Sequence, residues 1–231
     1  MTAQVTEFSK QLRSFVRREG RLTPGQARAL ERLWTVYGLE PQGVVELDQV
    51  FGRAAPRVLD IGFGDGEALV EMAADDPQRD YIGVEVHRPG LGHCLQYAEQ
   101  MQLSNLRLIS MDAVDLLTNH IPERSLSAVN IFFPDPWPKK RHHKRRLIQP
   151  NFLELLASRL QRGALLHLAT DWADYAQWMV EVVEADGRYT NTAGPGQYLS
   201  YPPPRPQTKF ERRGIQRGHA VYDLIYRLNG V

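Results

Sequence analysis

The 231-residue chain has a single cysteine, Cys94. It therefore cannot form an internal disulfide or a zinc site of the paired-cysteine type, and a reducing, cytoplasmic compartment is the expectation. It also lacks any apolar run approaching the ~20 residues of a membrane span. Lys10, Arg13, Arg17 and Arg18 stand where a secretory leader needs unbroken apolar sequence, so no membrane partner is expected. Internal repeats and long low-complexity tracts are missing too. With 42% apolar and 24% charged residues, what remains is the composition of an ordinary globular protein, and disorder is excluded.

Net charge is nearly absent as well, at +1, but the charges are segregated. Residues 10–32 carry seven Lys and Arg against Glu19 and Glu31, a net of +5. Residues 139–146 carry six cations and no acid, and residues 205–217 five cations against Glu211. The three segments hold +15, which leaves −14 for the rest of the chain. One such run is usually a solvated face; three in an otherwise acidic protein point to a polyanionic partner.

Near the N-terminus, Phe8, Leu12, Phe15 and Val16 fall at helical spacing. A better-marked helix follows, with Thr23 as N-cap, Pro24 in its first turn, Gln26 completing a capping box and Gly38 ending it. Its inward residues are expected to be Leu30, Leu33, Trp34 and Tyr37. From residue 57 onward, strand-like and helix-like stretches alternate, the pattern of a doubly wound α/β sheet. Strands are expected over 57–61, 81–86, 106–111, 128–133 and 164–169. Helices are expected over 67–75, 91–101, 114–119, 148–160 and 172–185. Two further strands, 189–192 and 220–228, flank a Gly- and Pro-rich loop and a short helix opened by a capping box of Thr208 and Glu211. The chain divides into a basic N-terminal helical extension, 1–50, and an α/β domain, 51–231.

Val58-Leu59-Asp60-Ile61-Gly62-Phe63-Gly64-Asp65-Gly66 is a buried strand running into three alternate glycines before a helix. Glycine at Gly62, Gly64 and Gly66 lets a nucleotide approach the backbone and permits positive φ. The spacing departs from the dinucleotide Gly-x-Gly-x-x-Gly pattern. Asp65 and Glu67 at the helix start would repel a diphosphate, so a cationic ligand fits better. Glu85, 19 residues after Gly66, ends the second strand, where it can accept ribose hydroxyls. Asp112 follows the third and can accept from an adenine amino group, or simply cap a helix. Together these acids favour S-adenosylmethionine over a nicotinamide cofactor.

The most specific stretch is Phe132-Phe133-Pro134-Asp135-Pro136-Trp137-Pro138-Lys139-Lys140-Arg141-His142-His143-Lys144-Arg145-Arg146. Its alternate prolines fix their own φ and are expected to hold Phe133, Asp135 and Trp137 extended, placing Asp135 on a stiff loop. The bland reading, a rigid turn with a solvated acid, leaves the basic tail unexplained. The histidines show no ligand spacing, so no metal is expected.

At these residues the chain closely resembles the bacterial tRNA (guanine-N7)-methyltransferase family. The resemblance extends to the Gly-Phe-Gly-x-Gly turn, Gly83-Val84-Glu85-Val86-His87, Thr170-Asp171, Arg205-Pro206-x-Thr208-Lys209-Phe210-Glu211-Arg212-Arg213-Gly214 and Ser14-Phe15-Val16-Arg17-Arg18. It implies a Rossmann-like class I methyltransferase fold, with a seven-stranded, mostly parallel sheet, an antiparallel last strand and helices on both faces. It also implies transfer of a methyl group from S-adenosylmethionine to N7 of a guanine in the tRNA variable loop. Asp60, Gly62, Gly64, Gly66, Glu85, Asp112 and Asp135 are then cofactor-side residues, with Asp135 catalytic. Lys139, Asp171, Thr208, Lys209, Phe210 and Glu211 are substrate-side residues. Lys140, Arg141, His142, His143, Lys144, Arg145 and Arg146 would bind RNA phosphates. The family commonly has glutamate where this chain has the shorter Asp60. No obligate protein partner is expected, only a monomer or weak homodimer. The alternatives are an exocyclic-amine methyltransferase, whose loop has two adjacent prolines, a nicotinamide-dependent oxidoreductase, and an RNA-binding subunit without activity.

Overall fold

The computed structural model describes residues 20–200 and 204–230. The amphipathic segment around Phe8 to Val16, with Lys10, Arg13, Arg17 and Arg18, lies outside the described residues. Helix α1 (Pro24–Tyr37) begins with both arms of the Thr23–Gln26 capping box formed. A short helix α2 (Leu47–Phe51) follows. The chain then alternates through β1 (Arg57–Ile61), α3 (Glu67–Asp75), β2 (Asp80–Val84), α4 (Arg88–Gln100), β3 (Leu106–Ile109), α5 (Ala113–Asn119) and β4 (Leu126–Phe132). After a 3-10 turn at Lys140–Arg145 come α6 (Pro150–Arg159), β5 (Leu160–Thr170), α7 (Ala173–Asp186), β6 (Tyr189–Asn191), α8 (Lys209–Gln216) and β7 (Tyr222–Leu228).

The strands form one seven-stranded sheet in the order β3-β2-β1-β4-β5-β7-β6. β7 runs antiparallel to both neighbours and the other contacts are parallel. Side chains alternate across the sheet, as a period-2 strand requires. Val58, Tyr81, Leu106 and Leu108 pack under α1, α3 and α4, whereas Leu59, Ile82 and Ile109 pack under α5, α6 and α7. A register shift between Leu126 and Ala128 puts Leu126 on the same face as Val129 and Ile131. The sheet is thus covered on both sides, which is why its strands read as continuous apolar runs.

Helix α1 buries Ala29, Leu33 and Tyr37 among α4 side chains, and the Tyr37 hydroxyl donates to the Ala98 carbonyl at 3.2 Å. Leu30 and Trp34 are only partly buried, because α1 meets its neighbour with a narrow stripe. The chain after α1 bridges to the sheet at Gly38 and Leu108. Element positions match the sequence pattern and several ends do not: β2 stops at Val84 and α4 starts at Arg88, since Pro89 is tolerated in a first helical turn.

Candidate functional site

The glycine turn leaves β1 at the carboxyl edge of the sheet. Gly62, Gly64 and Gly66 have φ of 74°, 65° and 81°, the left-handed region where glycine carries no steric penalty. A Cβ on Gly66 would stand 2.4 Å from the Cβ of Cys94 on α4, so the turn and that helix are in backbone contact. The Gly64 N–H donates to Glu85 Oε2 at 3.0 Å, and the Val86 and His87 N–H groups donate to Glu85 Oε1. Three backbone donors hold the Glu85 carboxylate rigidly just past β2. Asp60, in β1, is 2% exposed. Burial pushes its carboxyl up to about 7; Glu85 adds to the shift, while the Asn130 hydrogen bond and Arg205 oppose it.

Asp112 is the N-cap of α5, its Oδ1 accepting from the Val114 and Asp115 N–H groups at 2.8 and 3.2 Å. The capping role weighed from the sequence is therefore real. Asp65 and Glu67 differ from expectation: Lys209 Nζ lies 3.2 Å from Asp65 Oδ2, and Arg212 is paired with Glu67. Their charge is met from α8, unlike that of Asp60 and Glu85, which have no ion pair among the described residues. Phe210 lies across Gly64, with Cε2 3.4 Å from where a Cβ there would sit. The resulting cleft is narrow and is lined by Asp60, Gly62, Phe63, Phe133, Thr208 and Lys209 among others. Phe210 also lines this cleft and is 57% exposed.

The Pro-Asp-Pro loop leaves β4 beside this cleft. Phe133 and Trp137 have φ of 53° and 46°, which corrects the extended geometry expected before proline. The Phe133 N–H extends the ladder to the Ala169 carbonyl at 2.8 Å. The chain then turns away from the sheet edge, and a left-handed residue is the sharpest turn available. Asp135 stands exposed between these two strained positions. Beyond it, Arg145 lies over the Trp137 ring at 5.0 Å and His142 meets it edge-on, so the indole is packed inside the basic turn.

Lys139, Lys140, Arg141, Lys144 and Arg145 are exposed, and His142 and His143 are half-buried. Arg146 departs from the phosphate-binding set. It is 1% exposed, bonded to the Pro136 carbonyl and to Asp174, and packed on Tyr175 and Trp178. It anchors the basic turn to α7. The 205–217 run is likewise less free than its composition suggests, because Arg205, Lys209 and Arg212 are all paired with acids.

Asp171 sits after β5, its Oδ2 3.2 Å from His219 Nδ1 and 3.0 Å from where a Cβ on Gly214 would be. Thr208 caps α8 through Glu211 N–H, but Glu211 does not complete the expected capping box. Its carboxylate is 0% exposed and takes Arg205 instead at 2.6 Å, because a buried guanidinium outweighs a neutral N–H. Two residues missed from the sequence are Asp223 and His167, bonded to each other at 2.8 Å, with Asp223 also held by Arg205. Their only sequence signal is polar residues inside otherwise apolar strands.

A family model described as a putative methyltransferase matches residues 54–224. A tRNA (guanine-N(7)-)-methyltransferase of Halorhodospira halophila is 68% identical over 221 residues, spanning 95% of this chain and 96% of its own. Another so named, from Alkalilimnicola ehrlichii, is 58% identical over 228 residues, spanning 97% and 96%. Among solved structures, the 16S rRNA methyltransferase KamB superposes with a TM-score of 0.60 at 17% identity, over 84% of this chain and 99% of that one. That likeness is one of fold: the sheet is that of a class I methyltransferase.

Proposed function

The chain belongs to the bacterial tRNA (guanine-N7)-methyltransferase family, and from that premise we propose how its residues divide the work of methylating guanine N7 in a tRNA variable loop. The observation that carries the reading is one cleft in which the left-handed glycine turn, buried Asp60 and Phe133 meet. Phe133 leads directly into the loop bearing Asp135.

The chemistry of this cleft fits S-adenosylmethionine. Asp60 is a buried acid whose carboxyl is pushed up to about 7, first by burial and further by Glu85, and it has no ion pair among the described residues. Nearby, Arg205 faces both Glu211 and Asp223, and burial lowers the His167 pKa despite Asp223, keeping the ring neutral. Arg205, Glu211 and Asp223 together therefore carry one excess negative charge, to which ionised Asp60 adds a second. A ligand bearing a sulfonium and an ammonium suits such a site better than a pyrophosphate does. Glu85, oriented by three N–H groups, keeps acceptor capacity for ribose hydroxyls. When bound, the cofactor supplies an electrophilic methyl group.

Guanine N7 is an acceptor without a proton, so the chain needs no general base. Its residues align and stabilise. Asp135 faces the positive charge that develops on the purine, and Asp171 accepts from the guanine Watson–Crick edge. Lys139 to Arg145 grip phosphates, which positions the RNA without reading its sequence. The variable loop is folded into the tRNA body, so the base is partly extruded before transfer. The test is purified protein, isotopically labelled S-adenosylmethionine and an unmodified tRNA transcript, followed by nucleoside identification. Label in 7-methylguanosine is expected; label on an exocyclic amine, or none, refutes the reading. Asp135→Asn should lower the rate at saturating tRNA about 10²–10³-fold, as loss of a preorganised electrostatic contact does. Full turnover would exclude that role.

A further inference from the structure

Arg205 and Glu211 are the residues of the Arg205-to-Gly214 motif whose side chains turn completely inward, at 1% and 0% exposure, and Arg205 is the one that reaches beyond the motif. Its planar group does four things at once. Nε and NH2 bond both oxygens of Asp223 on β7 at 2.7 and 2.8 Å. NH1 bonds Glu211 in the first turn of α8 at 2.6 Å and the Pro206 carbonyl at 3.2 Å. The guanidinium also lies over the rings of Phe132, at 4.8 Å, and Phe133, at 5.6 Å. Asp223 is fixed in turn by His167 on β5, whose ring meets Phe132 edge-on at 4.9 Å.

Two segments of the proposed site would otherwise be independent. The Pro-Asp-Pro loop hangs from β4 through Phe133, a non-glycine residue at φ 53° whose conformation needs outside support. Helix α8 carries Thr208, Lys209 and Phe210 over the glycine turn and, among the described residues, shares no strand with the sheet. Arg205 touches both. We propose that Arg205 is a positioning residue that fixes α8 and the Asp135 loop relative to one another, so that the base-gripping and charge-stabilising groups meet the same guanine. Asp223 is its anchor. The proposal rests on the methyltransferase reading given above.

Lysine cannot reproduce this, because an ammonium is a point charge that neither forks across two carboxylates nor stacks flat on a ring. Arg205→Lys therefore keeps the buried charge and removes the geometry. In single-turnover methyl transfer it should lose at least about tenfold in rate, the scale of a small misplacement of reacting groups. Its melting should remain cooperative and its affinity for tRNA stay within about threefold of the wild type. A wild-type rate overturns the proposal, as does a loss explained by the folded fraction or by tRNA affinity alone. Should Arg205→Lys not fold, Phe133→Leu removes the ring through which Arg205 touches the Asp135 loop and leaves the ion pairs and the Phe132 contact. A slower transfer at unchanged affinity supports the coupling, and an unchanged rate overturns it. Amide exchange of residues 209–216 separates this idea from the functional reading. If the wild-type protein transfers no methyl group, that reading fails. Faster exchange of α8 in Arg205→Lys, with β5 and β7 unchanged, still establishes that Arg205 holds the helix, and unaltered exchange denies it.

Discussion

Asp60→Asn should make the protein more stable and a poorer cofactor binder, and the stability gain should grow with pH. In the fold the Asp60 carboxyl is pushed up to about 7, first by burial, whereas an unfolded carboxyl titrates near 3.9. Because the folded value is the higher one, the proton favours the native state. The stabilisation is fully present below about pH 4 and is lost as pH climbs through about 7. At pH 8 the native carboxylate is ionised in a low-dielectric site, at a cost of on the order of 3 pKa units times 1.36 kcal/mol, about 4 kcal/mol. Water penetration reduces that, so a gain of about 1–3 kcal/mol for Asp60→Asn at pH 8 is the expectation. At roughly 2–4 °C per kcal/mol for a chain of this size, melting curves of both proteins at pH 5 and pH 8 resolve it. The gap in Tm should be small at pH 5 and several degrees at pH 8. A gap independent of pH would refute the buried-charge argument. By the same linkage, a cationic ligand favours ionised Asp60, so S-adenosylmethionine should bind with proton release near pH 6, measurable by calorimetry in buffers of different ionisation enthalpy.

Arg145→Ala and Arg146→Ala, adjacent cations, should behave as opposites. The first should flatten the dependence of log affinity for tRNA on log salt by about one contact and leave Tm unchanged. The second should cost about 1–3 kcal/mol of stability, since it removes hydrogen bonds and packing at 1% exposure; equal effects on salt dependence would contradict this. Gly66→Ala should be severe, with a φ of +81° and Cys94 Cβ only 2.4 Å from the new methyl, and Cys94→Ala should not rescue it because that Cβ remains. Gly62→Ala meets nothing within 4 Å, so it should cost only the left-handed strain of roughly 1–2 kcal/mol; chemical denaturation of the set ranks them.

The order of elements could be read from the sequence because both faces of the sheet are covered. Apolar runs such as Val58 to Ile61 have one interpretation when glycines and helical spacing follow them. The ends were less legible, since they depend on tertiary partners. β5 runs from Leu160 to Thr170, several residues longer than its apolar stretch, because β4 also pairs with it at Leu160, ahead of the stretch from Leu165 that β4 and β7 share. The loop at Phe133 shows the same limit. Local sterics favour extended residues before proline, yet the sheet hydrogen bond at Phe133 and the Arg205 stack select a left-handed turn that no local rule contains.

Charge was the least legible property, for a general reason. Sequence records how many cations a segment has, while RNA binding depends on how many are unpaired at the surface. In the 139–146 run that distinction removes only Arg146, so the polyanion reading is strengthened by the exposure of its neighbours. In the 205–217 run it removes Arg205, Lys209 and Arg212, leaving Arg213 and Arg217 without an ion pair among the described residues. The second run is therefore chiefly a set of clasps that fasten α8 over acids of the sheet edge. Neutralising Arg213 and Arg217 together should reduce the salt slope of tRNA binding by at most about two contacts. A larger fall would mean that Lys209 or Arg212 leaves its carboxylate when RNA arrives, and the clasp description would then hold only for the free protein.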